Sequence, residues 1–297
     1  MRSVTKKTVL LALAAVLALS PARAEEKAAS TPKDGFLTMA DGAKIHYVEA
    51  GQGPAILLIP GWSMAAEIWE PQITGLSKSH RVVAYDPRSQ GQSTKAPDGS
   101  TPDVRARDLG AVIDQLGLSP ATLVCWSLAV GECVTYIGQS GTGKVAGLVL
   151  VDGLAGDLID PDTLPALIRY LGRLQRDRQK TTEAFVRSMF KKPQTEEYLK
   201  RVTEMSLQTP TDTGIALFVG GLTQNNTETL GKIDKPTLLA VTENPFTMER
   251  YKEMNEKIPG SKMEVFKAGH ALFVDEPERF NKLVEDFVKS LGESAPK

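Results

Sequence analysis

The chain of 297 residues predicts an α/β architecture, a mostly parallel central sheet with helices on both faces and a helical cap inserted into it. Three observations predict it. Short β-branched or apolar runs alternate with amphipathic helical stretches, which is the pattern of a parallel sheet covered on both faces. That rhythm breaks once, between Gly153 and about Lys232, where only helix-period segments such as Leu164, Leu167, Ile168, Leu171 and Leu174 occur. The chain then closes on its clearest helix, where Phe280, Leu283, Val284, Phe287, Val288 and Leu291 form one apolar stripe at a period of about 3.6 residues.

In chain order, Arg2, Lys6 and Lys7 lead into the apolar run 9–19, and Ala22-Arg23-Ala24 supplies the small residues of a cleavage site. The run is shorter than the roughly 20 apolar residues that a membrane span needs, so residues 1–24 read as a signal peptide. Export to the periplasm or the medium is the expectation, with no membrane attachment once the peptide is removed. Residues 25–34 are polar and aperiodic, a flexible leader. Folding is expected to begin near Gly35 with a hairpin over 36–49 that turns at Asp41-Gly42. Strand runs follow at Ala55–Ile59, Arg81–Tyr85, Ala121–Trp126, Val145–Val151, 236–241 and Lys262–Phe266. An unstructured loop of some 80 residues is rare in a compact domain, so 154–232 reads as the cap and 35–153 with 233–297 as the core. Asp275, Glu276 and Pro277 stand where a helix cap and a first-turn proline favour the last helix.

Composition narrows the function classes. The 35 Lys and Arg nearly balance the 36 Asp and Glu, and residues 1–24 carry four of the cations and no acid, so the remainder is acidic. That balance argues against nucleic acid as a partner. Cys125 and Cys133 fall on a strand end and the helix after it and read as small buried residues rather than a bridge, with no metal-ligand spacing. Residues 138–144 nearly spell a phosphate loop. Val145 replaces its Ser or Thr, however, and the segment runs from helix to strand. Arg169, Arg173, Arg176 and Lys180 share a helix face that reads as solvated, the alternative being a site that attracts anionic substrates.

Two residues carry the chemistry. Ser127 stands in Cys125-Trp126-Ser127-Leu128-Ala129, between a strand run and a helical stretch, with small residues two positions to either side. That is the context of a nucleophile elbow, in which a sharp turn thrusts the hydroxyl outward, although Cys125 and Ala129 replace the usual glycines. A helix-capping serine is the competing reading. A serine hydroxyl needs a base to take its proton, and of the three histidines His46 and His80 lie in or beside predicted strands. His270 instead occupies the loop after the last strand, where ligands and catalysis concentrate in open α/β sheets.

The segments PGWSMAAEIWEPQ, DPRSQGQS, CWSLAVGE and AGHALFVDEPERF occur in the order and spacing of α/β-hydrolase-fold enzymes. Over residues 35–292 the chain resembles that superfamily, and within it the esterase, non-haem haloperoxidase and C–C bond hydrolase branch. The resemblance implies a Ser–acid–His triad in that chain order beneath a cap. It also implies an oxyanion hole made of the backbone N–H groups of Leu128 and Trp62. The family's His-Gly is Pro60-Gly61 here, which a backbone donor tolerates. Asp86, Arg88, Gly91 and Ser93, with Ser89 where glycine is common, look like the family's bracing turn beside the elbow.

The acid stays open. Most members place an Asp after the strand corresponding to 236–241, where this chain reads Thr242-Glu243-Asn244. Asp152 stands at an alternative position used by some members and is favoured, with Glu243 the other candidate; either would orient the imidazole. The implied reaction is acyl transfer from a small-molecule substrate to water without metal or organic cofactor. A carboxyl ester comes first, ahead of amide, lactone, C–C bond and perhydrolase chemistry. The rival is a fold retained as a ligand- or partner-binding module without turnover, motivated by the missing Asp.

Overall fold

The computed structural model describes residues 31–159 and 162–293, so the proposed signal peptide 1–24 and residues 25–30 of the leader lie outside the described residues. Strands β1 (Lys33–Thr38) and β2 (Lys44–Ala50) form an antiparallel hairpin about Asp41 and Gly42, the latter at φ 85°. The hairpin starts two residues earlier than the leader reading allows, because Lys33 and Asp34 pair with Glu49 and Val48 through backbone bonds that require no apolar side chain. Strands β3 (Ala55–Ile59), β4 (Arg81–Tyr85), β5 (Ala121–Trp126), β6 (Val145–Val151), β7 (Thr237–Thr242) and β8 (Lys262–Phe266) pair in parallel, and β2 joins β4 antiparallel. The eight strands lie in the order β1-β2-β4-β3-β5-β6-β7-β8.

Both faces of the sheet are dry at its central strands. Along β3, Leu57 and Ile59 point into one core and Ile56 and Leu58 into the other, all fully buried, as alternation on a two-sided sheet demands. Helices α1 (Glu70–Leu76), α2 (Pro102–Gln115) and α3 (Leu128–Ser140) alternate with the first parallel strands. Between β6 and β7 stand α4 (Leu164–Arg176), α5 (Arg178–Ser188), α6 (Glu196–Leu207), α7 (Thr211–Thr223) and the short α8 (Thr227–Leu230). The chain finishes with α9 (Met248–Lys257), the one-turn α10 (Leu272–Asp275) and α11 (Pro277–Glu293). The α11 stripe buries Phe280, Val284 and Val288, each worth about 1.5–3 kcal/mol of apolar transfer.

One expectation about the core is corrected. Cys125 and Cys133 form a disulfide. The sharp turn at Ser127 folds α3 back over the end of β5, which brings two fully buried side chains eight residues apart together in the core. The order β4-β3-β5 also places the reversal of strand order between β3 and β5, and the crevice beyond their carboxyl ends is where open α/β sheets bind ligands.

Candidate active site

Ser127 occupies that crevice. It joins β5 directly to α3 at φ 56° and ψ −120°, a conformation that costs a non-glycine residue about 1–3 kcal/mol. The turn is held by the Ser127 N–H donating to Val151 O (2.9 Å) and by Ser127 O accepting from Val130 N (3.0 Å). Its neighbours are stripped of side chains. A Cβ on Gly153 would stand 2.3 Å from Ser127 O, and one on Gly61 would stand 2.9 Å from Ser127 Cβ. Ala129, fully buried, meets the same demand for small size.

His270 reaches the serine from the loop between β8 and α10, with Nε2 2.9 Å from Ser127 Oγ and Nδ1 2.7 Å from Asp152 Oδ2. Nδ1 facing a carboxylate assigns it the proton, which leaves Nε2 to accept from the serine hydroxyl. Several groups fix this loop. Trp126 Nε1 donates to His270 O (3.0 Å), Ala271 N to Met189 O (2.9 Å), and Gly269 N to Asp275 Oδ2 (2.7 Å). Asp275 therefore does not serve as a plain helix cap. It is buried and also accepts from Lys191 N (2.8 Å), tying the segment after α5 to the histidine loop.

Asp152 follows β6 at φ 39° with its side chain 6% exposed. Its Oδ1 accepts from Thr242 N (2.8 Å), Thr242 Oγ1 (2.7 Å) and Tyr251 Oη (3.1 Å). Burial raises its pKa, but the bonds from His270 and Thr242 and the imidazole charge more than offset this, so the carboxyl sits below its usual range. Tyr251 is pushed well up by burial and by the Asp152 charge, which keeps it a hydrogen-bond donor. Glu243 is exposed instead, and among the described residues its carboxylate makes no bond or ion pair with His270; only its N–H is engaged, on Phe266 O (3.0 Å). His46 is buried against Asp86 (2.9 Å) and His80 is buried before β4, both away from Ser127. Trp126 and Thr242 stand in the segments quoted for the elbow and for the acid, but no role was read for either, and Tyr251 lies in no motif.

Leu128 is the first residue of α3, so its N–H lies ahead of the helical ladder. Among the described residues the Trp62 N–H meets no protein acceptor. The Trp62 indole is buried in the cap, donating from Nε1 to Gly214 O (2.6 Å) with Phe185 and Phe218 edge-on. A cavity of about 270 Å³ opens over Ser127 and His270, walled by Leu128, Leu154, Phe218 and Leu222. Beside it, Asp86 accepts from Ala66 N and Gln92 N (2.7 Å each), and Arg88 grips Asp108 (2.8 Å) and Asp41 (2.6 Å), a brace in line with the motif. Arg169, Arg173, Arg176 and Lys180 are exposed. Among the described residues no group of three or more His, Cys, Asp or Glu is arranged to hold a metal ion.

An eight-stranded, mostly parallel sheet with a strained serine at its switch point defines a class, and comparison with known proteins gives that class its name. Residues 56–283 match the model of the alpha/beta hydrolase family, and the chain belongs to that family. It is 34% identical over 129 residues to a non-heme chloroperoxidase of Kitasatospora aureofaciens, covering 43% of this chain and 47% of the relative. It is 33% identical over 138 residues to a bifunctional esterase/perhydrolase of Acinetobacter calcoaceticus, covering 44% and 50%. The chain thus spans about half the length of these curated relatives. An esterase of Exiguobacterium antarcticum superposes with a TM-score of 0.80 at 26% identity, over 86% of this chain and 98% of that one.

Proposed function

We propose that this chain is a serine hydrolase that cleaves carboxyl esters through an acyl-enzyme. The unbroken contact from Ser127 Oγ through His270 to Asp152 carries the reading. Ser127 Oγ attacks the ester carbonyl as His270 Nε2 takes its proton, and the Leu128 and Trp62 N–H groups receive the oxyanion. His270 returns the proton to the departing alcohol, then activates water against the acyl-enzyme. Asp152 stabilises the imidazolium at both stages. The apolar wall of the cavity favours esters of small uncharged acids. The Acinetobacter calcoaceticus relative is named an esterase as well as a perhydrolase. A panel of p-nitrophenyl esters of increasing acyl length tests the reading. Turnover of short chains by wild type is expected, and no hydrolysis at any length would refute it.

Residues 1–24 are proposed to direct export to the periplasm or the medium. A disulfide in the core agrees with folding in an oxidising compartment. The mature amino terminus is expected at Glu25, and intact-mass measurement of protein recovered from the cell envelope or medium checks it. A species still carrying Met1 would contradict export by this route.

A further inference from the structure

The loop Gly61–Met64 bends tightly around a single side chain from the turn after β4. Gln90 is fully buried, and its amide meets the loop at three backbone groups. Oε1 accepts from Ser63 N (3.1 Å), and Nε2 donates to Gly61 O (3.0 Å) and Met64 O (2.5 Å). A fourth bond comes from below, where Arg105 Nη1 donates to Oε1 (3.0 Å). Arg105 is itself buried, with Nε 2.9 Å from Glu132 Oε1. The orientation of the amide is fixed by this surrounding, because Oε1 faces two donors and Nε2 two carbonyls. No other side chain of that length both donates and accepts in this way.

One of these bonds bears on the reacting atoms. Gly61 C=O and Trp62 N–H belong to the same planar trans peptide, so they point in opposite directions. Holding Gly61 O against Gln90 turns the Trp62 N–H the other way, in a peptide that packs on Ser127, whose Cβ is the nearest neighbour of a Cβ built on Gly61. A second bond from Met64 N to Gly61 O (3.2 Å) closes the same turn, and Met64 is in turn held through its own carbonyl by Gln90. Ser63 adopts φ 56°, a left-handed conformation unfavourable for serine, and its N–H is the group that Gln90 Oε1 receives. The loop is therefore held in a conformation its own residues disfavour.

We infer that Gln90 is a positioning residue for the reaction, fixing the Gly61–Trp62 peptide so that its N–H faces the developing oxyanion, with Arg105 and Glu132 anchoring the amide from the core. This rests on the serine-hydrolase reading above and adds to it a residue outside the triad and the oxyanion donors. Loss of one oxyanion donor costs about 10²–10³ in kcat, and a donor that is misaimed rather than removed is expected to cost about tenfold to a hundredfold.

Gln90→Glu and Gln90→Met test it. Glu preserves the acceptor for Ser63 N and Arg105 but cannot donate to Gly61 O when ionised; Met removes all four bonds at similar length. Both variants are compared with wild type, below their unfolding midpoints, in three ways: kcat and KM for p-nitrophenyl acetate, the rate of fluorophosphonate labelling, and the Ki of phenylboronic acid, whose tetrahedral adduct places an oxygen in the oxyanion hole. Expected are a loss of about tenfold to a hundredfold in kcat and labelling rate, a Ki raised at least about tenfold, and KM within about threefold. A merely structural glutamine would lower the unfolding midpoint and leave kcat and Ki unchanged at temperatures where the variant is folded. Folded variants with kcat and Ki within twofold of an active wild type would overturn the role of Gln90 alone. A wild type inert to ester and probe would overturn the hydrolase reading and this inference with it.

Discussion

The Asp152 carboxylate makes four hydrogen bonds, one of them to the imidazole, whereas Glu243, the first residue after β7, lies exposed. A carboxylate in that place orients the base and stabilises its charged form, so Asp152→Asn is expected to lower kcat by up to about 10⁴. Glu243→Gln is expected to stay within about tenfold, less than roughly 1.4 kcal/mol of transition-state stabilisation. Steady-state kinetics on both folded variants checks the ranking, and the reverse order would move the role to Glu243. Gly153 is a second sensitive position. A methyl group there must displace the Ser127 carbonyl, so Gly153→Ala is expected to destabilise the fold by at least about 1–3 kcal/mol in urea unfolding and to disturb the elbow. Ser127 and His270 were legible because each occupies a local context, a strand-turn-helix junction and a loop after a strand, that the sequence displays directly. The acid was only narrowed, to Asp152 ahead of Glu243. The choice depends on which of two parallel strand ends faces the imidazole, and that is set by the pairing of β6 with β7 rather than by either strand alone. Gln90 was hidden for a similar reason, since its four partners lie 15 to 29 residues away.

At the scale of elements, the helices between β6 and β7 are tied to the core at the same loops that hold the chemistry. Asp275 accepts from backbone groups on both sides of this join, and Asp275→Ala would take the carboxylate away from the partly buried N–H groups of Gly269 and Lys191. Water reaches part of each group, so the loss is expected to stay below the roughly 1–3 kcal/mol of a fully buried unpaired donor and to appear as a lower urea midpoint, together with a raised rate of hydrogen exchange at Gly269. An unchanged midpoint would show that solvent replaces the carboxylate there. The sequence placed Asp275 in front of a helix and so favoured a local cap; its actual partners are contributed by tertiary packing. The disulfide was considered from the sequence and set aside, for the opposite reason. Its cysteines are close in sequence, and only the tight fold-back at Ser127 makes their side chains meet.

For the whole molecule, the buried groups set how stability depends on pH. Burial pushes Glu132 up to about 7 from 4.5 despite Arg105 beside it, so the folded state holds a proton that the unfolded chain releases. A raised folded pKa means that this contribution is complete below about 4.5 and is lost as pH rises toward about 7. His46 acts in the same sense: burial lowers its pKa, yet Asp86 and Asp34 raise it further, so its contribution also fades on alkalinisation. Asp152, held low, contributes in the opposite direction and loses its contribution on acidification below 3.8. Glu132→Gln is accordingly expected to flatten the fall in unfolding midpoint between pH 4.5 and 7, measured by thermal unfolding across that range. A variant with the wild-type slope would contradict the assignment. The α/β class and the strand runs were readable because apolar alternation records burial residue by residue. The start of β1 at Lys33 was not, because an edge strand is held by backbone bonds to β2 and carries polar side chains.

The central claim is that Ser127 is an activated nucleophile, and covalent labelling by a fluorophosphonate probe tests it most directly, since an ordinary serine hydroxyl does not react. Wild type is expected to take up one equivalent, located on Ser127 by peptide mass analysis, and Ser127→Ala none. Wild type that stays unlabelled, or a Ser127→Ala variant labelled to the same extent, would contradict the account.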